Sequence, residues 1–144
     1  MSATLNTFTT NTTIESSKVN QNFTNLSDRI RPTFVFTVDE ILTTGTNKTP
    51  ILISTNGYTI EKVYAAVKTA PSGASIIVDI NKNGTSIWNS NQGNRLTIAN
   101  GSTTGNQTAF DTTALADGDL LTLDIDQVGS TSGGETLTVA LKCS

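Results

Sequence analysis

An all-β fold is predicted, a jelly-roll-like β-sandwich preceded by a short N-terminal helix and an extended arm. Three observations predict it. From Thr33 onward, apolar residues recur at every second position, the period of a strand with one buried face. Turn signals interrupt that pattern at short intervals, among them Asn56-Gly57, Pro71-Ser72-Gly73, Asn83-Gly84, Asn100-Gly101 and Asp117-Gly118. Thr, Ser and Asn make up roughly a third of the 144 residues, and charged residues only 15%. That balance is too polar for a helical bundle and too regularly patterned for disorder, whereas Thr suits the wet face of a sheet. The change of period divides the chain into residues 1–32, an arm and a helix, and residues 33–144, one β-domain. The chain is long enough to bury a core without covalent staples.

Residues 1–11 are polar, with Leu5 and Phe8 isolated. They read either as a tail or as an arm that orders on docking. Residues 12–31 form the one good helix candidate. Thr12 and Glu15 have the spacing of a capping box, Arg29 and Arg31 suit the negative end of the helix dipole, and Pro32 stops the helix. Val19, Phe23, Leu26 and Ile30 fall at 4-3-4 spacing and make one narrow seam. A helix this short is marginal alone in water, so the seam must pack on something. The choice lies between the chain's own β-body and other copies of the helix, and the narrowness of the seam favours three copies.

Strands are expected at residues 33–40, 50–54, 58–69, 75–81, 85–89, 95–99, 107–113, 119–128 and 135–142. That number of short strands points to a double-layered or closed all-β fold, with an immunoglobulin-like sandwich as second choice. Ile76, Val78 and Ile80 share one face. The Leu120-Leu121 doublet blurs the phase of Leu121, Leu123 and Ile125. With Leu137, Val139 and Leu141, these residues are expected to supply the inner layers.

Catalytic chemistry finds few candidates. The chain has no histidine, which removes Ser-His-Asp and Cys-His arrangements and histidine metal sites. Cys143 is the single cysteine; it has no partner base and no disulfide partner within the chain. Asp117, Asp119, Asp124, Asp126 and Glu135 cluster near the C-terminal hairpin, and paired carboxylates can cleave glycosidic bonds. No aromatic residue accompanies them, and Asp124 and Asp126 alternate with Leu123 and Ile125 as a solvated strand face would. Asp79, Asn81, Asn83 and Gly84 match the opening of a calcium loop, D-x-N-x-N-G. Ser90 stands where the closing acid is needed, so a type I′ hairpin turn at Asn83-Gly84 is the plainer reading. No enzyme activity and no cofactor are expected. Candidate ligand contacts are Trp88, Tyr58 and Tyr64, whose rings would stack on a sugar or serve in the core or an interface.

Net charge is −3 with no basic stripe, so nucleic acid is not an expected partner. No segment has the length of a membrane span, and the N-terminus lacks the pattern of a signal peptide; synthesis in the cytoplasm is expected.

Residues 76–88 (IIVDINKNGTSIW) and 117–141 (DGDLLTLDIDQVGSTSGGETLTVAL) resemble passages in structural proteins of tailed-bacteriophage virions. Residues 14–23 (IESSKVNQNF) are similar to an I-x-x-x-x-V-N-x-N-F phrase near the start of many phage fibre proteins. The resemblance is to a loose family without catalytic motifs. It implies a small virion accessory protein, a head or tail fibre or capsid decoration, trimeric and located on the particle. Residues 1–31 would attach to capsid or tail proteins, Val19, Phe23, Leu26 and Ile30 would trimerise, and the β-knob would face host surface glycans. The competing reading is a carbohydrate-binding module, free or appended.

Overall fold

The computed structural model describes residues 15–27 and 31–144, with the side chains of 24–27 not included. The described residues fall into two units, one holding the helix and the other running from Thr33 to Cys143.

Helix α1 spans Ser16–Ser27, inside the expected 12–31. Its first turn is closed by the amides of Lys18 and Val19, both donating to the Glu15 carbonyl, at 3.0 and 3.2 Å. Glu15 therefore stands at the helix start rather than at the third position of a capping box, and its carboxylate pairs with Lys18 at 3.6 Å. Thr12 and Arg29 lie outside the described residues. Arg31 lies beyond the helix, so it does not occupy the last turn.

The second unit is built from ten strands. They are β1 (Thr33–Ile41), β2 (Leu52–Ile53), β3 (Tyr58–Thr69), β4 (Ile76–Lys82) and β5 (Thr85–Ser86), followed by β6 (Leu96–Ile98), β7 (Thr104–Gln107), β8 (Ala114–Leu115), β9 (Leu120–Gln127) and β10 (Glu135–Cys143). The first sheet runs β1-β10-β3-β7 with β8 also on β3; the second runs β2-β9-β4-β5 with β6 also on β4. All pairings are antiparallel. The pairings nest: β1 with β10, β2 with β9, β3 with β7 and β8, β4 with β5 and β6. One long hairpin has thus been folded back at its tip and rolled so that β1 to β4, and β8 to β10 on the return, alternate between sheets. That is the jelly-roll arrangement, which pairs off most strand edges by wrapping the chain on itself.

The hairpin tip is the Asn83-Gly84 turn. Lys82 faces Thr85, and Asn83 and Gly84 have φ of 50° and 81°. These positive values give the twist of a type I′ turn, which glycine and asparagine adopt at least cost.

Alternation decides the core. Phe36, Val38, Val63, Ala65, Val67, Leu137, Val139 and Leu141 point in from the first sheet, and Ile76, Val78, Ile80, Leu96, Ile98, Leu121, Leu123 and Ile125 from the second. Leu121, Leu123 and Ile125 share one buried face after all; the doublet is resolved by turning Leu120 outward, 42% exposed. Burying a side chain of this kind contributes about 1.5–3 kcal/mol, an upper figure for a compact unfolded chain.

Several elements differ from expectation, and the strand expected at 85–89 stops at Ser86. The strand expected at 107–113 is replaced by β7 (Thr104–Gln107) and β8 (Ala114–Leu115). Gly105 is the reason β7 runs where it does, because a Cβ there would collide with the Thr97 carbonyl oxygen of β6. Phe110, read as a strand residue, instead packs on Trp88 with ring centroids 5.7 Å apart.

Candidate functional site

The outward side chains of the second sheet carry most of the polar residues that the sequence singles out. Asp79 on β4 faces Asp124 on β9 directly, a like-charge cross-strand pair that would repel if left alone. Each is held by other partners. Asp124 accepts from the Asn81 amide at 2.8 Å and from the Asn47 backbone N–H at 2.7 Å. Asp79 accepts from the Ser86 hydroxyl at 2.7 Å, and Asp126 binds Arg95. Burial pushes the Asp79 carboxyl above its ordinary range; the Ser86 bond offsets part of this, and Asp126 and Asp124 add to it.

Asp119 fastens the start of β9 to the hairpin tip. It accepts from the Ala116 backbone N–H at 2.7 Å, from the Asn83 amide at 2.7 Å and from Lys82 at 3.0 Å. Those donors, the Ala116 N–H first, hold its carboxyl below the usual range. The carboxylates considered for glycoside cleavage do not converge. Asp124 and Asp126 lie on β9 in the second sheet, while Glu135 lies on β10 in the first and accepts from Thr69.

The calcium-loop candidates resolve in the same way. Asn81 and Asn83 both turn their NH2 groups, not their oxygens, toward carboxylates, and the Asn83 oxygen accepts from the Leu120 N–H. Among the described residues no three acidic, histidine or cysteine side chains are gathered as a metal would need. Cys143 is buried, and burial, with the Glu61 charge adding, pushes its thiol up to about 11. It is protonated at neutral pH and is no nucleophile there.

Of the aromatic candidates, Trp88 is fully enclosed. Its indole N–H donates to the Ala109 carbonyl at 2.7 Å, and the ring lies against Phe110, so it offers no face to a ligand. Trp88 is a core residue because the chain leaves the sheet after Ser86 and turns inward. Tyr58 is partly buried, edge-on to Phe34 at 6.2 Å. Tyr64 alone is open, 45% exposed, with the Lys62 ammonium 4.6 Å from its ring centre.

Tyr64 stands on the outer face of the first sheet, in a row set by register: Val35 on β1, Ala140 on β10, Tyr64 on β3, Asn106 on β7. The next row is Thr37, Thr138, Ala66, Thr104. The small side chains Ala66 and Ala140 leave a shallow trough of about 370 Å³ beside the ring, bordered by Thr104, Asn106 and Thr138. The side chains of Tyr64, Thr104, Asn106 and Thr138 make no hydrogen bond with other described residues. The sequence reading named Tyr64 but not its neighbours. The signal was the phase of β3, where Val63, Ala65 and Val67 point in and Lys62, Tyr64 and Ala66 point out.

Of the helix seam, Val19 is partly buried and Phe23 is 68% exposed; the Leu26 side chain and Ile30 lie outside the described residues. Exposed aliphatic residues of the β-unit occur in both sheets. Val35 and Ile41 are on β1, Ile53 is on β2 with Ile51 just before it, and Leu120 on β9 is opposite Ile53. Among the described residues no helix is long and apolar enough to cross a membrane. No family model matches this chain, and no curated protein matches it significantly.

Proposed function

We infer that the protein is a non-enzymatic structural component of a phage particle, a trimeric fibre, knob or decoration protein. Its N-terminal segment attaches it and its β-unit faces outward. The observation that carries this reading is Phe23, a large apolar side chain 68% exposed on a twelve-residue helix. A helix of that length gains its stability from packing, and a seam left open in one chain is closed by its copies. On the second sheet the exposed Ile51, Ile53 and Leu120, with Ile53 opposite Leu120, give the β-units a second surface for the same association. The engagement of the outward carboxylates in structural bonds accords with a protein that holds position rather than turning over a substrate. The likeness of residues 14–23, 76–88 and 117–141 to phage structural proteins supplies the setting, with the protein made in the host cytoplasm and carried on the virion.

Light scattering on the full chain tests the assembly. The wild type is expected at the mass of three chains, and Phe23→Asp at the mass of one, with an unchanged β-sheet circular dichroism spectrum. A Phe23→Asp protein that stays trimeric removes the helix seam from the account.

A further inference from the structure

The outer face of the first sheet presents hydrogen-bonding capacity that the fold does not use. Four neighbouring side chains, Tyr64, Thr104, Asn106 and Thr138, have no hydrogen-bonding partner among the described residues, and all four line one trough. Its volume of about 370 Å³ lies at the small end of ligand pockets, roughly 300–1,000 Å³. Its floor is apolar, made by Ala66 and Ala140.

The chemistry of this lining selects a ligand class. No charged side chain lines the trough, so nothing there pairs with a phosphate or carboxylate in the way an arginine fork does. Of the cations near it, Lys62 is held over the Tyr64 ring and Lys142, opposite Lys62, pairs with Glu61. A wholly aliphatic ligand would cover an amide and two hydroxyls without satisfying them, at a cost in desolvation. What suits an aromatic wall beside neutral donors and acceptors is a molecule with one C–H face and a rim of hydroxyls. We propose that the Tyr64 trough is a binding site for a neutral saccharide, with the pyranose C–H face on the Tyr64 ring and its hydroxyls bonded to Asn106, Thr104 and Thr138. Amphipathic aromatic side chains serve this purpose well, being large, rigid and polar at one end. The inference rests on the exposed outer face of the first sheet and needs neither the particle nor the trimer.

The position in the sheet explains why the site is rigid. Tyr64, Ala140 and Asn106 come from three adjacent strands in fixed register. β7 is held close by Gly105, where any side chain would strike the Thr97 carbonyl oxygen. A site on paired strands needs little ordering when a ligand arrives.

The test is saturation-transfer NMR on the full chain with the methyl glycosides of glucose, galactose, mannose and N-acetylglucosamine, each at millimolar concentration. At least one is expected to bind saturably, with strongest transfer to its ring C–H protons. Tyr64→Ala should weaken that binding about tenfold and Tyr64→Phe should largely preserve it. Thr138→Val, which is isosteric, should weaken it severalfold without unfolding the protein. Absence of saturable transfer from all four sugars to the wild type overturns the proposal, as does unchanged affinity in Tyr64→Ala. The Phe23→Asp protein should bind the sugar as the wild type does, so failure of the trimer and failure of the site are read separately.

Discussion

The outer faces of the two sheets draw on similar polar residues and end in opposite conditions. On the second sheet, Asp79, Asn81, Asp124 and Asp126 are bonded to Ser86, Asn47, Arg95 and one another. On the first sheet, Thr104, Asn106, Thr138 and Tyr64 stand side by side with no hydrogen bond to other described residues. The crowded face draws the eye as a candidate for chemistry, because carboxylates and an Asx-rich turn are the raw material of catalysis and metal binding. Its geometry is that of a fastening, in which each charge is tied down and the loops around residues 47 and 86 are tied with it. The plain face keeps its capacity for something outside the chain.

The sharpest way to break this comparison is at Asp119. Asp119→Ala deprives the Ala116 N–H, the Asn83 amide and Lys82 of their shared acceptor, and it is expected to lower the thermal midpoint more than any other single change on this face. The effect has a pH signature. The folded carboxyl sits below its ordinary value of 3.8, so its contribution is fully present above that value and fades as pH falls through the lowered one. Wild type and variant should therefore differ at neutral pH and converge in strong acid. Equal midpoints at neutral pH would mean the second sheet's polar face is not a fastening.

Asp124→Ala should cost about 1–3 kcal/mol in urea unfolding, the penalty of leaving the Asn81 amide and the Asn47 N–H without their acceptor. Asp79→Asn carries the opposite sign. Its folded carboxyl sits above 3.8, so the stability linked to its protonation is present below 3.8 and lost as pH rises through the raised value. At neutral pH the charge opposes the fold, and the amide is expected to stabilise by a few tenths to about 1 kcal/mol, with the gain vanishing in acid. On the first sheet, Asn106→Ala should change stability by less than about 0.5 kcal/mol, as for an exposed side chain with no partner, while lowering sugar affinity. A loss several times larger would show that Asn106 is structural and that the two faces are alike.

Most of the scaffold was legible in the sequence because alternation is a local property. The expected span 58–69 coincides with β3 (Tyr58–Thr69), and the Asn83-Gly84 turn adopts the positive φ pair its residues favour. What was not legible depended on partners. β7 (Thr104–Gln107) has no apolar alternation; it is a strand through its pairing with β3, and Gly105 allows it to lie close to Thr97 of β6. Trp88 reads from sequence as a core or interface residue, with a ligand contact as the alternative; it lies in the core, and what the sequence does not show is the partner of its indole N–H, the Ala109 carbonyl far along the chain. The trough was hidden for the same reason. Tyr64 could be read as outward from the phase of β3, but Ala140 and Asn106 become its neighbours only through the register of β10 and β7. The helix seam shows the converse, since 4-3-4 spacing named Val19 and Phe23, which lie in the described helix (Ser16–Ser27), while Arg31, which reads from sequence as a last-turn residue, stands outside it.

The most direct test of the central claim is immunogold labelling of purified phage particles with an antibody raised to the folded protein, viewed by electron microscopy. The account predicts gold on the particles, with label over heads marking a decoration or head fibre and label at the tail marking a host-attachment role. Particles free of gold, from a culture whose particle-free supernatant holds the protein, would contradict it and leave a free saccharide-binding module in its place.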